Sequence, residues 1–534
     1  MKSFVVVGSG PSGVHFAQTA LEKGCEVTML DVGHQRPPAV EPDATFDELK
    51  HRLADPVAYL LGEKFEGVTL PGGAGEYYGL PPSKSFVLKG HSRHALRETG
   101  FASLSSFARG GLAEAWTGGV YPLVDAELED FPFGFGALKP HYEEVARRIG
   151  IAGAVDDLAP FFPAHDGLQE PLRLDQHSRT IMERYAGQRA RLNAAGCFAG
   201  RSRIAVLSVP LDGREPCDYL GRCLWGCPHQ ALYTPSVTLA RLMDMPGFRY
   251  VPDTWVSHLV WDHARTLSGI ALRRMDGTED VMSARHVALA AGALSSARIM
   301  LESVRRAGGG ILELPGLMDN QQILVPFVNL RMLGHVNDPR NYQYHQVCLG
   351  FTAPDPRHYV HAQITTLKTA MAHPVIQSLP LDMASATKVF RLLRSTLGVA
   401  NVNLHDTRRP HSRATLELRE DGASRLVLSY APAPDDADQI ARATARLRAA
   451  LKALGCVIPP GMSHVRPKGA SVHYAGLIPM GATDSPLTAT DEGESRDVRG
   501  VWLADGVTFP FLPAKNLTFT LMANAVRVAT HACQ

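Results

Sequence analysis

Three glycines and an acid near the start of the chain carry the clearest chemistry. Gly8, Gly10 and Gly13 stand in a G-x-G-x-x-G pattern directly after the apolar run Phe4–Val7. Such a run reads as a buried strand. Pro11 and Ser12 open the helix that follows, with Val14, Phe16, Ala17, Ala20 and Leu21 at helical spacing. Glu26–Leu30 reads as a second strand, and Asp31 stands at its end. Each glycine has its own task. Gly8 permits the tight turn, Gly10 lets the backbone approach a pyrophosphate, and Gly13 lets helix and strand pack closely. The unpaired N–H groups of the helix start favour an anion, and an acid at Asp31 can accept hydrogen bonds from a ribose diol. The pattern predicts a bound dinucleotide.

Four other groups of residues bear on chemistry. Arg109-Gly110-Gly111 and Ala115-Trp116, followed by Gly118-Gly119, form a segment that can lie against a flat ligand, because glycine allows close backbone approach; a Gly-rich loop around a packed Trp fits as well. Ala291-Gly292 ends an apolar strand and opens a helix, as if the nucleotide fold resumes after an insertion. Near the C-terminus, His473 starts a loop that ends at Met480-Gly481, Asp505-Gly506 ends a strand, and Asn516 to Thr518 open a long helix. His473 alone reads better as a core histidine, and Asn516 can cap the helix or point at a bound ligand. Cys217, Cys223 and Cys227, with Pro228 after the last, fit neither an iron–sulfur run nor a compact zinc set; packed thiols are the expectation, and no metal site is expected.

The elements that must position these residues belong to a chain of 534 residues, long enough for two or more domains. Its composition is 45% hydrophobic and 20% charged, and 54 basic residues against 53 acidic ones give a net charge of +1. That balance supplies no electrostatic case for nucleic acid or an anionic membrane. No apolar run is long enough to span a bilayer, and no leader pattern precedes the first strand. With its scattered cysteines, the chain is expected to be cytoplasmic. Prolines between His34 and Pro42 and the turn signals at Leu70–Gly75 and Pro81-Pro82 mark an excursion. Helices are expected around residues 140–149, 178–192, 381–397 and 435–454. Strands are expected at 248–251, 255–261, 269–274 and 280–282, the last ones forming a small antiparallel sheet. Others are expected at 323–333, 344–351, 358–367, 413–420 and 425–430. The amphipathic helix at 381–397 is expected to be core, with a membrane surface or partner as the alternative.

Taken together, these motifs resemble the glucose–methanol–choline (GMC) flavoprotein oxidoreductase superfamily, closest to its pyranose oxidase and sugar dehydrogenase-like branch. The resemblance rests on Gly8, Gly10, Gly13 and Asp31, on Gly110-Gly111 with Trp116, on Ala290-Ala291-Gly292, on Ala504-Asp505-Gly506, and on His473 paired with Asn516. It covers the cofactor-binding parts, about half the chain. It implies an α/β FAD-binding Rossmann-like domain, built from residues 1–50, 99–125, 200–307 and 466–534. Residues 51–98 would form an excursion or lid. An α+β substrate domain on an antiparallel sheet would comprise 126–199 and 308–465. FAD would lie along Gly8, Gly10, Pro11, Ser12, Gly13, Asp31, Arg109, Gly110, Gly111, Ala115, Trp116, Val256, Ala291, Gly292, Asp505, Gly506, Asn516 and Thr518, with Val256 near the adenine.

The resemblance further implies oxidation of a CH–OH group in a sugar, polyol or other natural-product alcohol. His473 would take the hydroxyl proton, and Asn516 would hold the oxygen. The electron acceptor is oxygen, a quinone or a carrier protein. Two departures matter. Leu517 stands where the family commonly has Pro, and Leu477 and Pro479 replace a Thr-Arg pair. Pyranose oxidases attach FAD through a His at the position of Ala115, so FAD is expected to be non-covalent. The rival readings are a redox-neutral flavoenzyme on the same fold, an electron-transfer dehydrogenase with a metal cluster at Cys217, Cys223 and Cys227, and a non-catalytic binding module.

Overall fold

The computed structural model describes residues 2–36, 43–65, 67, 80–274, 276–336, 338–367, 376–377, 379–420, 422–481 and 484–534. The turn expected at residues 70–75 and the prolines at 37, 38 and 42 lie outside them. No helix among the described residues is long and apolar enough to cross a membrane.

Five strands make a parallel sheet in the order Val501–Leu503, Val287–Leu289, Ser3–Val7, Glu26–Leu30, Phe248–Val251. Segments far apart in sequence therefore build one sheet. Its central strands are short apolar runs because both faces are buried: Phe4, Val6 and Ala288 join the core with two helices, and Val5, Val7, Val287 and Leu289 share a core with Val256, Leu259, Leu267 and Ile270 of a small antiparallel sheet. The helix Pro11–Glu22 buries Val14, Phe16, Ala17 and Ala20 against Ala525, Val528 and Ala529 of the last helix, Thr518–Ala532. Strand order reverses at Ser3–Val7, whose neighbours are the second strand on one side and Val287–Leu289 on the other. A ligand crevice is expected at the carboxyl ends on either side of such a point.

Phe248–Val251 is the edge of this parallel sheet, while Thr254–Trp261, Leu267–Arg274 and Glu279–Ser283 form the small antiparallel one. A single turn at Pro252-Asp253 separates the two roles, and Asp253 has φ +54.

The second large sheet is antiparallel. It runs Cys456–Val457, Gln321–Asn329, Leu397–Leu404, Val360–Thr366, Val347–Phe351, Cys197–Arg201, with His464–Val465 also pairing with Gln321–Asn329. Period-2 alternation gives it two chemically distinct faces. Ile323, Val325, Phe327, Ala362, Ile364, Ala400 and Val402 face the helices Gln176–Ala194 and Asp436–Ala453 and form one apolar core. The intervening residues, Gln322, His361, Gln363, Asn401 and Asn403, are polar and lie on the opposite face.

Leu397–Leu404 corrects the sequence expectation. The helix expected to reach residue 397 ends at Leu393, a 3-10 turn follows to Thr396, and the next eight residues form an interior strand. Apolar residues at 389, 390, 392, 393 and 397 keep helical spacing across the boundary, and Asn401 and Asn403 hide the strand's apolar face. On that helix only Ala386 and Phe390 are buried, and Met383 and Leu392 are exposed.

The helices Phe135–Ile149 and Gln176–Ala194 take different partners. The first packs on the last helix, with the Tyr142 hydroxyl 2.8 Å from Thr520 Oγ1, and the second lies on the antiparallel sheet. The excursion returns through Leu96–Thr99, which pairs in parallel with Leu426–Ser429.

Candidate active site

One cavity of about 410 Å³ runs between the two sheets. At one end lie the fingerprint residues Gly8, Gly10, Pro11, Ser12 and Asp31, at the other His473, Asn516 and the polar sheet face with Gln322, Gln363 and Asn401. Ala115, Trp116, Val256, Ala291, Gly292, Asp505, Gly506, Gly111 and Thr518 line it in between. Gly13, Arg109 and Gly110 do not line it. A Cβ on Gly13 would stand 2.0 Å from the Gly8 carbonyl oxygen, so Gly13 serves strand–helix contact. Arg109 lies over the Tyr250 ring at 5.4 Å and lines a neighbouring cavity. Gly110 donates its N–H to Ser9 Oγ at 2.9 Å, and Ser9 in turn donates to Asp31. The double-glycine segment is thus tied to the fingerprint loop through a side chain outside both motifs.

Three helix N-termini open on this cavity: Pro11–Glu22, Ala293–Arg306 and Thr518–Ala532. None has a side-chain cap. First-turn N–H groups without caps need another partner, and their dipoles favour anionic or electron-rich ligand atoms. A Cβ added at Gly10 or Gly292 would meet no atom within 4 Å, so both glycines border open space. These features fit a dinucleotide diphosphate.

Asp31 accepts from Ser9 and from the Tyr250 hydroxyl at 3.0 Å. Asp505 accepts from the Gly292 N–H at 2.9 Å and Ser296 Oγ at 2.6 Å on one oxygen, and from the Val507 N–H at 3.0 Å on the other. Burial pushes both carboxyls up to about 6 despite these donors. Hydroxyl donors from a ligand would relieve that cost.

The His473 loop is held from behind. Buried Asp319 accepts from the Gly469 N–H at 2.8 Å and from Ser471 Oγ, and Ser471 Oγ accepts from the His473 N–H at 3.0 Å. The Tyr474 hydroxyl donates to the Gly469 carbonyl at 2.6 Å and accepts from the Leu104 N–H at 2.7 Å. Val472 has φ +60, a left-handed conformation that is costly for a β-branched residue. The imidazole Nδ1 is buried without a hydrogen-bond partner among the described residues. Burial, then the Arg466 guanidinium, lowers its pKa to about 4. The ring is therefore neutral at pH 7 and can accept a proton.

Asn516 does not cap the last helix, whose N-cap position is Leu517. Its Oδ1 instead accepts from Gln363 Nε2 at 2.6 Å. Beside it, Lys515 and Glu127 form a fully buried ion pair, and Lys515 Nζ also donates to the Pro122 carbonyl at 2.9 Å. Gln322, Gln363, Asn401 and Arg466 are the wall residues that motif reading misses. Alternation of His361 and Gln363 with alanine and isoleucine, and of Asn401 and Asn403 with alanine and valine, was the available signal.

The family departures at Leu477 and Pro479 are buried, and Leu477 belongs to the core with Ile478. Cys217, Cys223 and Cys227 pack beside Leu232 and Tyr342. Among the described residues the one grouping of three ligand-type side chains within mutual reach is Asp43, Asp218 and His229, and it contains no cysteine.

Residues 410–525 match the family model described as GMC oxidoreductase. Over that stretch the chain is similar to GMC oxidoreductases, and the relatives it resembles along its length are oxidases. It is 24% identical to paromamine 6'-oxidase of Streptomyces fradiae, over 98% of this chain and 90% of that protein. It is 25% identical to C-glycoside 3-oxidase of Microbacterium trichothecenolyticum, over 98% of this chain and 95% of that one. Its fold is similar to pyridoxine 4-oxidase from Mesorbium loti, with TM-score 0.61 and 14% identity over 99% of both chains.

Proposed function

We propose that this protein is an FAD-dependent oxidoreductase that oxidises a CH–OH group of a sugar-like or natural-product alcohol. The observation that carries the reading is the shared cavity. A neutral His473, whose Nδ1 has no partner among the described residues, and the Asn516 amide open on the same space as the diphosphate-type glycine loop. The relatives' names, sugar and aminoglycoside oxidases among them, support the alcohol class.

Gly10, Gly292 and the three helix N-termini would hold the diphosphate, Asp31 a ribose, and Asp505 a hydroxyl-bearing linker, with Val256 near the adenine. FAD, when bound, supplies the hydride acceptor, its N5. His473 takes the hydroxyl proton of the substrate, while Asn516 donates from its amide nitrogen to the same oxygen and stabilises its developing charge. Ala115 has no nucleophilic side chain, so FAD is held without a covalent bond.

The test is an acid precipitation followed by an anaerobic titration. FAD should appear in the supernatant, and native protein should lose its oxidised-flavin absorbance with a sugar or polyol. Admitting air then separates an oxygen-using enzyme from one that needs a quinone or carrier. Bound flavin that no alcohol reduces would favour redox-neutral chemistry and contradict the proposal.

A further inference from the structure

The charge and hydrogen-bonding character of the cavity wall narrows the substrate class. Among the described lining residues the carboxylates are Asp31 and Asp505, and the cations are Arg298 and Arg466. Both acids stand with the nucleotide-type loops and are already engaged: Asp31 by Ser9 and Tyr250, Asp505 by Gly292, Ser296 and Val507. Among the described residues, the wall around His473 carries no carboxylate. It presents Gln322, Gln363, Asn401 and Asn516, together with one cation, Arg466, whose Nη1 donates to Gln322 Oε1 at 2.7 Å.

Amides donate and accept, as hydroxyls do, so an amide wall matches vicinal hydroxyls. Asn401 Oδ1 is buried with no hydrogen-bond partner among the described residues and needs a donor. A hydroxyl can donate there and accept elsewhere from an amide N–H. An ammonium group only donates. It would also enter a buried site beside a guanidinium, with no carboxylate to pair with among the described residues of that wall, and burying an unpaired charge is strongly unfavourable.

We infer that the substrate presents uncharged vicinal hydroxyls to Gln322, Gln363 and Asn401, and that the ring undergoing oxidation carries no protonated amine. Substrate selection would then differ from that of a relative named for the amino sugar paromamine. This inference rests on the alcohol-oxidation reading above.

The experiment uses FAD-loaded full-length enzyme and three probes: methyl glucoside, the matching methyl 2-amino-2-deoxyglucoside, and paromamine. Binding to the oxidised enzyme is read by flavin difference absorbance, and reduction by anaerobic bleaching. At pH 7 the neutral glucoside should bind at least tenfold more tightly than either amino sugar. Raising the pH to deprotonate the amines should narrow the gap. Arg466→Glu should shift the ranking toward the amino sugars, and Asn401→Asp should do the same should Arg466→Glu fail to fold. Equal or tighter binding of the amino sugars by wild type would overturn the inference while leaving alcohol oxidation standing. The same holds for a ranking that neither variant moves. No binding by any of the three probes would also overturn it. Binding in the predicted order without bleaching would uphold the wall assignment and contradict the oxidation reading.

Discussion

At the scale of single residues, His473 and Asp31 make opposite pH predictions. His473 is half-buried with its Nδ1 out of solvent, and its pKa is lowered to about 4, below the ordinary histidine value near 6.5. A base of this kind loses function only when protonated. The acid limb of the pH profile for flavin reduction should therefore lie near 4, and Arg466→Gln should move it upward by removing a neighbouring positive charge. A limb near 6.5 in the wild type would contradict this environment for the imidazole. Asp31 is pushed up to about 6 by burial. A carboxyl whose folded pKa exceeds its unfolded value stabilises the fold at low pH and loses that contribution as pH rises through the folded value. Two pKa units correspond to about 3 kcal/mol. In cofactor-free protein, Asp31→Asn should thus raise Tm at pH 7 and change it little at pH 4, while weakening FAD retention. Thermal melts with and without FAD at both pH values check this.

At the scale of elements, the glycine fingerprint divides into structural and ligand-facing members. Gly13→Ala places a methyl 2.0 Å from a backbone carbonyl and should destabilise the fold by at least about 1–3 kcal/mol. Gly10→Ala meets no protein atom and should leave the cofactor-free protein's stability nearly unchanged, yet reduce FAD content. Denaturant midpoints and flavin-to-protein absorbance ratios separate the two. The parallel sheet and its first helix were legible because apolar runs, glycines and Asp31 follow one another without interruption. The antiparallel sheet was legible strand by strand except at Leu397–Leu404. There a run of leucines carries the preceding helical period past its end, and two asparagines occupy the face that meets the cavity. The features that obscured that strand also supply the site with Asn401. Motif reading names His473 and Asn516, but it does not reach the Asp319–Ser471 support or the Gln363 contact to Asn516. Those depend on pairings between segments far apart in sequence.

At the scale of the whole molecule, two sheets of different chemistry meet at one cavity, and a few buried polar links hold them in register. Lys515 and Glu127 are fully buried as a pair immediately before Asn516. Removing one partner leaves an uncompensated charge. Lys515→Met should cost about 3–5 kcal/mol, and the double change Lys515→Met with Glu127→Leu should recover most of it. Equal losses in single and double variants, measured by denaturant unfolding, would show that the pair's packing matters more than its charge. The parallel sheet supplies the proposed diphosphate cradle, the antiparallel sheet the amide wall, and the segment leading into the last helix places Asn516 at their junction. The account stands or falls on proton removal by His473 at that junction. The most direct test is anaerobic single-turnover bleaching of bound flavin by a reducing alcohol, in wild type and in His473→Ala with FAD retained. The account predicts bleaching in wild type and a rate lower by roughly 10²–10⁴ in the variant. Bleaching at the same rate in both would contradict it.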